Sequence, residues 1–313
     1  MRARALLLVA TSAALSVQSA VFLTAQTQPP IRDQRPFQSG IELTSITATV
    51  TDREGHLITG LDRAVFEVYE DGTRQEITQF TRERVPIGIG ALVDVSDSMF
   101  GKRIQDARAA VNRFLFELLD PSDEFFILAF NHHPRILTGW TRAPEEVSRA
   151  LESIRPFGGT AAYDAVIESL PLIARRTRQR AAVLLISDGS DTASDATLRD
   201  VRSALLRSDA FVYAIAIDSP DRRAINTRVN VDALREITAE SGGRTEVVQT
   251  SAELTDATAR IAEELNSQYV LGYTSPRGAD GRYHSIRVRV PGTEYRVRAR
   301  NGYIATPVRK SLD

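Results

Sequence analysis

The chain has 313 residues and no cysteine. That excludes disulfides, thiolate metal sites, cysteine nucleophiles and the lipid-attachment cysteine of bacterial lipoproteins. Lysine is nearly absent, since Lys102 and Lys310 are the only two among 39 basic residues. The arginine excess reads as a compositional bias of the genome more than as a binding surface. Charge of one sign is also missing: the formal net charge is −1, so no global field draws the protein to nucleic acid or to anionic lipid, and partners must be recognised locally. With 42% hydrophobic and 25% charged residues the chain has ordinary globular composition, enough for one large domain or two modest ones.

Long apolar runs are confined to the start. Met1-Arg2-Ala3-Arg4 is a short basic region, followed by an apolar run from Ala5 to about Val17 and then small residues, with cleavage expected after Ala25 or near Ala20. The run is too short and too rich in Ala and Ser for a membrane span of ~20 residues, and nothing later approaches that length. Residues 1–25 are therefore expected to be a secretory signal that leaves no transmembrane anchor, and the protein to be exported, periplasmic or extracellular. Loss of Arg2 and Arg4 with the signal takes the formal charge to −3. Residues 26–39 are polar and proline-containing, the composition of a flexible leader.

From residue 40 to 84 the pattern is β only. Ile41–Val50 alternates with period two, and Phe66–Glu70, Asp71-Gly72 and Glu76–Phe80 predict a hairpin. Between about 85 and 265, short continuous apolar runs alternate with helical patterns. The runs are Ile87–Val95, Phe125–Phe130, Ala181–Ser187 and Phe211–Ile217. The helices are expected at Lys102–Leu119, Pro144–Ile154, Ala161–Arg175, Leu198–Arg207, Val231–Ser241 and Ala252–Asn266. This alternation predicts an α/β fold with a doubly wound, mostly parallel sheet, whose ligands bind at the carboxyl ends of its strands. Residues 266–313 return to β character. Each β segment is too small to stand alone, so the C-terminal segment is expected to pair with residues 40–84 in a small β-sandwich into which the α/β domain is inserted. Arg287 and Arg289 alternate with apolar residues and should share one solvated face.

Chemistry concentrates where the first α/β strand ends. Asp94-Val95-Ser96-Asp97-Ser98 places one carboxylate and two hydroxyls on a turn at the carboxyl edge of the sheet. These are hard oxygen donors, suited to Mg²⁺. Gly158-Gly159-Thr160 and Ile186-Ser187-Asp188-Gly189 stand at equivalent places on later elements. The ordered set Asp-x-Ser-x-Ser, Gly-Gly-Thr and Ser-Asp-Gly resembles the metal-ion-dependent adhesion site of von Willebrand factor A domains, over about residues 85–265.

The resemblance implies that Ser96 and Ser98 bind Mg²⁺ or Mn²⁺ through their hydroxyls. Thr160, Asp94 and Asp188 would join directly or through water, and a carboxylate of a partner protein would complete the shell. Two aspartates and three neutral hydroxyls leave no surplus negative charge around a dication, so an incoming carboxylate is attracted. Asp164 and Asp191 are candidates for orienting the ligands or their waters. Asp97 is expected to be exposed at the rim, and His132-His133, on the loop after Phe125–Phe130, read as surface residues, with a rim contact to ligand as the alternative. Val50–Gly55, Thr59-Gly60-Leu61, Phe66–Gly72, Tyr269–Tyr273 and Asn301-Gly302-Tyr303 further resemble the von Willebrand A-related proteins abundant in Acidobacteria. In some relatives the last helix shifts on ligand binding, which the resemblance extends to Ala252–Asn266.

Other readings stand beside this one. Asp94, Ser96 and Ser98 could simply cap a helix N-terminus, with no metal. A cell-envelope assembly scaffold would use the metal structurally, and an enzyme would use Mg²⁺ at the sheet edge for phosphoryl transfer. The chain has no Gly-x-x-x-x-Gly-Lys-Ser/Thr loop, no Gly-x-Ser-x-Gly elbow, and no general base beyond the aspartates themselves. An adhesion or protein-binding module that is not an enzyme is the favoured expectation.

Overall fold

The computed structural model describes residues 43–188, 191–218 and 230–305. The expected signal and leader, and Gly189 of the Ser-Asp-Gly motif, lie outside the described residues. In chain order, β1 (Leu43–Thr51), β2 (Glu67–Glu70), β3 (Thr73–Gln75) and β4 (Gln79–Thr81) come first. The α/β part follows as β5 (Ile87–Asp94), α1 (Lys102–Arg113), β6 (Glu124–Phe130), β7 (Pro134–Thr141), α2 (Pro144–Ser153), α3 (Ala162–Ile173), β8 (Arg180–Ser187), α4 (Leu198–Leu205), β9 (Phe211–Ile217), α5 (Val231–Ser241), β10 (Thr245–Val248) and α6 (Ser251–Asn266). β11 (Tyr269–Thr274), β12 (Tyr283–Arg289), β13 (Arg296–Ala299) and β14 (Gly302–Ile304) close the chain.

The six-stranded sheet has the order β10-β9-β8-β5-β6-β7, parallel except for β7, which runs antiparallel to β6 at the edge. Every residue of β5, β6, β8 and β9 is buried, because both faces of the sheet are covered. Alternate side chains separate two cores. Ile89, Ala91 and Val93 join residues of α1, α2 and α6, while Leu92 joins residues of α3, α4 and α5. The chain goes from β5 to β6 on one side and later returns to β8 on the other. The strand order therefore reverses between β5 and β8, which is where open α/β sheets place ligands.

The expected hairpin forms, with a correction to its return strand. Asp71 (φ 48) and Gly72 (φ 78) make a two-residue turn with both φ positive, so pairing resumes at once and Thr73 faces Glu70. The return strand is therefore β3, not Glu76–Phe80; the chain then crosses over, and β4 joins the other sheet. That sheet has the order β13-β1-β11-β4, and the second has β14-β12-β2-β3. Each contains strands from both ends of the described chain, and they share a core that includes Ile46, Phe66, Val68, Tyr269, Leu271 and Ile286. β12 alternates buried and exposed residues throughout, so Arg287 and Arg289 do lie on one exposed face. The helix predicted to run to Leu119 is α-helical only to Arg113 and ends in a π turn over Phe114–Leu118.

A buried carboxylate joins the two parts. Glu264, near the end of α6 and only 1% exposed, accepts from Thr49 Oγ1 (3.0 Å) and Tyr213 OH (2.7 Å), bonds Arg298, and pairs with Arg244 at 3.2 Å. Removing it takes the carboxylate from Arg298, leaves Arg244 with Glu246 alone, and deprives two buried hydroxyls of their acceptor. Glu264→Ala is expected to cost about 3 kcal/mol, read as a lower denaturant midpoint. A midpoint unchanged from wild type would show that the junction does not depend on this carboxylate.

Candidate functional site

Asp94 is the last residue of the fully buried central strand, and its side chain is 0% exposed. One carboxylate oxygen accepts the Ser96 amide at 2.9 Å and the other accepts the Ser187 hydroxyl at 2.6 Å. Ser187 ends β8, so this bond spans the place where the strand order reverses. The hydroxyls of Ser96 and Ser98 lie 3.0 Å apart. Asp97 between them is exposed. Helix capping does not account for these residues. The short 3₁₀ turn over Asp97–Met99 receives no side-chain cap bond from Ser96, and α1 starts after Gly101 (φ 76), also without a side-chain cap.

Backbone bonds draw the Gly-Gly-Thr loop onto this turn. The Phe157 amide donates to Val95 O (2.9 Å), and the Asp97 amide to Gly158 O (3.0 Å). Gly158 is required here: its φ is +79, and a Cβ would sit 2.6 Å from His132 Nδ1. Thr160, 4% exposed, is held by its backbone. Its amide donates to Thr192 Oγ1 (3.0 Å), and its carbonyl accepts the amides of Thr192 (2.8 Å) and Ala193 (3.0 Å). Asp188 follows β8 and is 4% exposed. The predicted residues Asp94, Ser96, Ser98, Thr160 and Asp188 are thus carried by neighbouring turns at one edge of the sheet.

Asp164 and Asp191 are committed to fastening those turns. Asp164 accepts the amides of Asp195 (3.0 Å) and Ala196 (2.9 Å), and Asp191 accepts from the Tyr163 amide (2.9 Å) and the Ser194 hydroxyl (2.7 Å). Together they bind the loop after β8 to the head of α3, and with it Thr192, which holds Thr160. Sequence reasoning placed Ser187 in the Ser-Asp-Gly motif without giving it a role, and did not single out Thr192. Ser187 had a readable signal as the last polar residue of an apolar run, directly before Asp188. Thr192 had none, because its role comes from a loop that folds back.

Burial dominates the electrostatics. It pushes the Asp94 carboxyl up to about 7, and the charge of Asp188 adds to the effect; hydrogen bonds from Ser187 and Ser96 offset only part of it. A dication beside these groups would reverse that logic by favouring the carboxylate form. The donors are all oxygen, two carboxylates and three hydroxyls, which fits a hard cation. Among the described residues no cluster of three or more His, Cys, Asp or Glu is placed to hold a metal, so these mixed donors are the candidate set. The neighbouring surface is apolar and aromatic. Phe100 is 77% exposed and Phe157 53% exposed, and the His132 ring packs edge-on against Phe157 at 5.5 Å.

The von Willebrand factor type A domain family model matches residues 91–190, which include all five candidate donors. No curated protein sequence matches. Among solved structures, a von Willebrand factor type A protein from Catenulispora acidiphila superposes with a TM-score of 0.51 at 13% identity, over 87% of this chain and 76% of that one. An aerotolerance-related membrane protein from Bacteroides fragilis NCTC 9343 gives a TM-score of 0.50 at 21% identity, over 57% of this chain and 98% of that one. At such identities the likeness is one of fold. Residues 91–190, which span β5 to the end of β8, thus match the von Willebrand factor type A domain, and the mostly parallel sheet flanked by helices is the fold shared with these structures.

Proposed function

We propose that the protein is an exported binding module, not an enzyme, that captures an acidic residue of a partner protein through Mg²⁺ or Mn²⁺. Asp94, Ser96, Ser98, Thr160 and Asp188 would hold the metal in the manner of a metal-ion-dependent adhesion site. The observation that carries this reading is the burial of Asp94 against the charge of Asp188, with hydroxyls gathered on the adjoining turns. Burying two acids together is unfavourable on its own, and a cation at that edge would offset it. The metal would supply the positive charge that attracts the partner's carboxylate. Exposed Phe100 and Phe157 would add apolar contact around that carboxylate, as aromatic side chains do at protein interfaces. Export rests on residues 1–25. Among the described residues, no helix is long and apolar enough to cross a membrane.

Titration of metal-stripped protein with Mg²⁺ and Mn²⁺ by calorimetry should show saturable single-site binding in the wild type. Asp94→Ala should abolish it, and Ser96→Ala should weaken it by about tenfold or more. Absence of binding at millimolar metal would overturn the reading. Bound Mn²⁺ should also enhance water proton relaxation, because a site that accepts a carboxylate keeps an exchangeable position. A closed structural site, as an envelope scaffold would have, would not.

Protons and metal compete for Asp94. In the metal-free folded protein the group holds its proton up to about 7, against an ordinary value of 3.8. Its contribution to stability is therefore full below 3.8 and is lost as pH rises through about 7. Metal affinity should accordingly increase with pH over this window, with up to one proton released per metal near pH ~6 and almost none above ~8. Calorimetry in buffers of different ionisation enthalpy measures the release directly. A pH-independent affinity would show that Asp94 plays no part in holding the metal.

A further inference from the structure

A second place in the molecule has excess charge, of the opposite sign. A cavity of about 470 Å³ opens beside β12, in the size range of ligand pockets, and Arg287, Arg289 and Arg300 contribute to its lining together with Tyr69. Among the described residues none of these three arginines has a carboxylate within salt-bridge distance. Arg300 is only partly exposed, and its guanidinium donates to two carbonyls, Gly302 O (2.9 Å) and Leu206 O (3.4 Å). The charge of Asp209 and the Tyr303 ring, 5.5 Å away, help to hold the Arg300 guanidinium, so Arg287 and Arg289 on the exposed face of β12 are the cations open to an anion.

The cavity also lies where the sandwich is not closed by strand pairing. β14 pairs with β12 only over Tyr283–Ser285, and the Ile286 amide donates to Asn301 O (2.8 Å), so beyond Ile286 that side of β12 has no strand partner. β13 pairs only with β1, which leaves its other edge without a strand. Val288 of β12 and Val297 and Ala299 of β13 all line the cavity. Unpaired strand edges are templates for an added strand. Arg287 and Arg289 are two residues apart on one face, a spacing of about 6.6 Å, which is also the spacing of alternate side chains in an extended peptide.

We infer that this cleft binds a short acidic peptide segment in extended conformation, with alternate carboxylates on Arg287 and Arg289 and its backbone along the unpaired strand edges. The guanidinium forks suit carboxylates, and Tyr69 provides an apolar wall. The site is independent of the metal-dependent reading, because none of its residues belongs to that sheet edge.

The test uses a fluorescent hexapeptide of alternating Val and Asp, titrated by anisotropy into the full chain at low ionic strength with chelator present. Saturable binding is expected, weakened by about tenfold or more in R287E/R289E and by added salt. It should be unchanged in Asp94→Ala, which separates this site from the metal edge. The Asn-for-Asp peptide and a peptide N-methylated at alternate amides should both bind more weakly. Circular dichroism and melting check that the double variant is folded, and R287Q/R289Q provides a milder second variant. Absence of peptide binding, equal binding by both folded variants, or equal binding of the Asn peptide would overturn the inference. So would binding of inorganic phosphate or a sulfated oligosaccharide at the cleft while the peptide stays unbound.

Discussion

The guanidinium of Arg180 sits where the polypeptide enters and leaves the α/β domain, and the rest of the arrangement depends on it. It donates to Val85 O (3.2 Å) on the way in and to Leu265 O (2.9 Å) on the way out, and also bonds the Gln268 side chain. Burial lowers its proton affinity to about 10, which still leaves it cationic at neutral pH. A buried cation is tolerated when its donors are satisfied, and here they are satisfied by backbone from two chain segments 180 residues apart. Asp123 completes the junction, accepting the Ile87 amide at 2.9 Å and bonding Arg84, which in turn donates to Asn266 at 2.8 Å. Polar groups at this seam fix geometry that apolar packing alone would leave free to slide, because their bonds are directional.

A strand held at its base by such a junction, and paired along its length on both sides, can carry an unfavourable residue at its tip. β5 does so with Asp94. Its neighbours are β6 and β8, and the Ser187 hydroxyl at the end of β8 is one of the two groups that bond the carboxylate. The cost of burying the acid is borne by the cooperativity of the sheet around it. Conflicts between local preference and global fold are expected where a site must be ready for a ligand. The same logic explains why Asp164 and Asp191 spend their oxygens on loop backbone. Two glycines and a threonine cannot hold their own conformation, and the second loop supplies the missing bonds.

How much of this was legible in the sequence follows from how local each determinant is. Strands buried on both faces leave continuous apolar runs, so β5, β6, β8 and β9 stood out; the pattern from Val231 to Ser241 coincides with α5, which Asn230 caps. β7 did not stand out, because an edge strand over Pro134–Thr141 is half exposed and its pairing with β6 is irregular near Ile127. The four residues of β10 and the three of β14 are too short for any period to register. The hairpin misreading came from trusting alternation at Glu76–Phe80 over turn geometry at Asp71-Gly72, and the turn decided the register. At the candidate site the donor residues were readable because they sit at ends of apolar runs. The contacts that hold them were not, since Thr192 reaches Thr160 across 32 residues of chain.

Net charge was the least informative property. A balance of −1 over the chain hides a pair of buried acids at one sheet edge and, in a cleft of the sandwich, three arginines with no carboxylate of the described residues within salt-bridge distance. Neither feature contributes a long-range field, because each is small and partly enclosed. Both act at contact distance, where the local dielectric is low and a single complementary charge matters more than the sum over the surface. Both proposed sites therefore draw on local charge that the net balance does not register. One lies at the carboxyl edge of the sheet between β5 and β8, the other at the seam between β12 and β13.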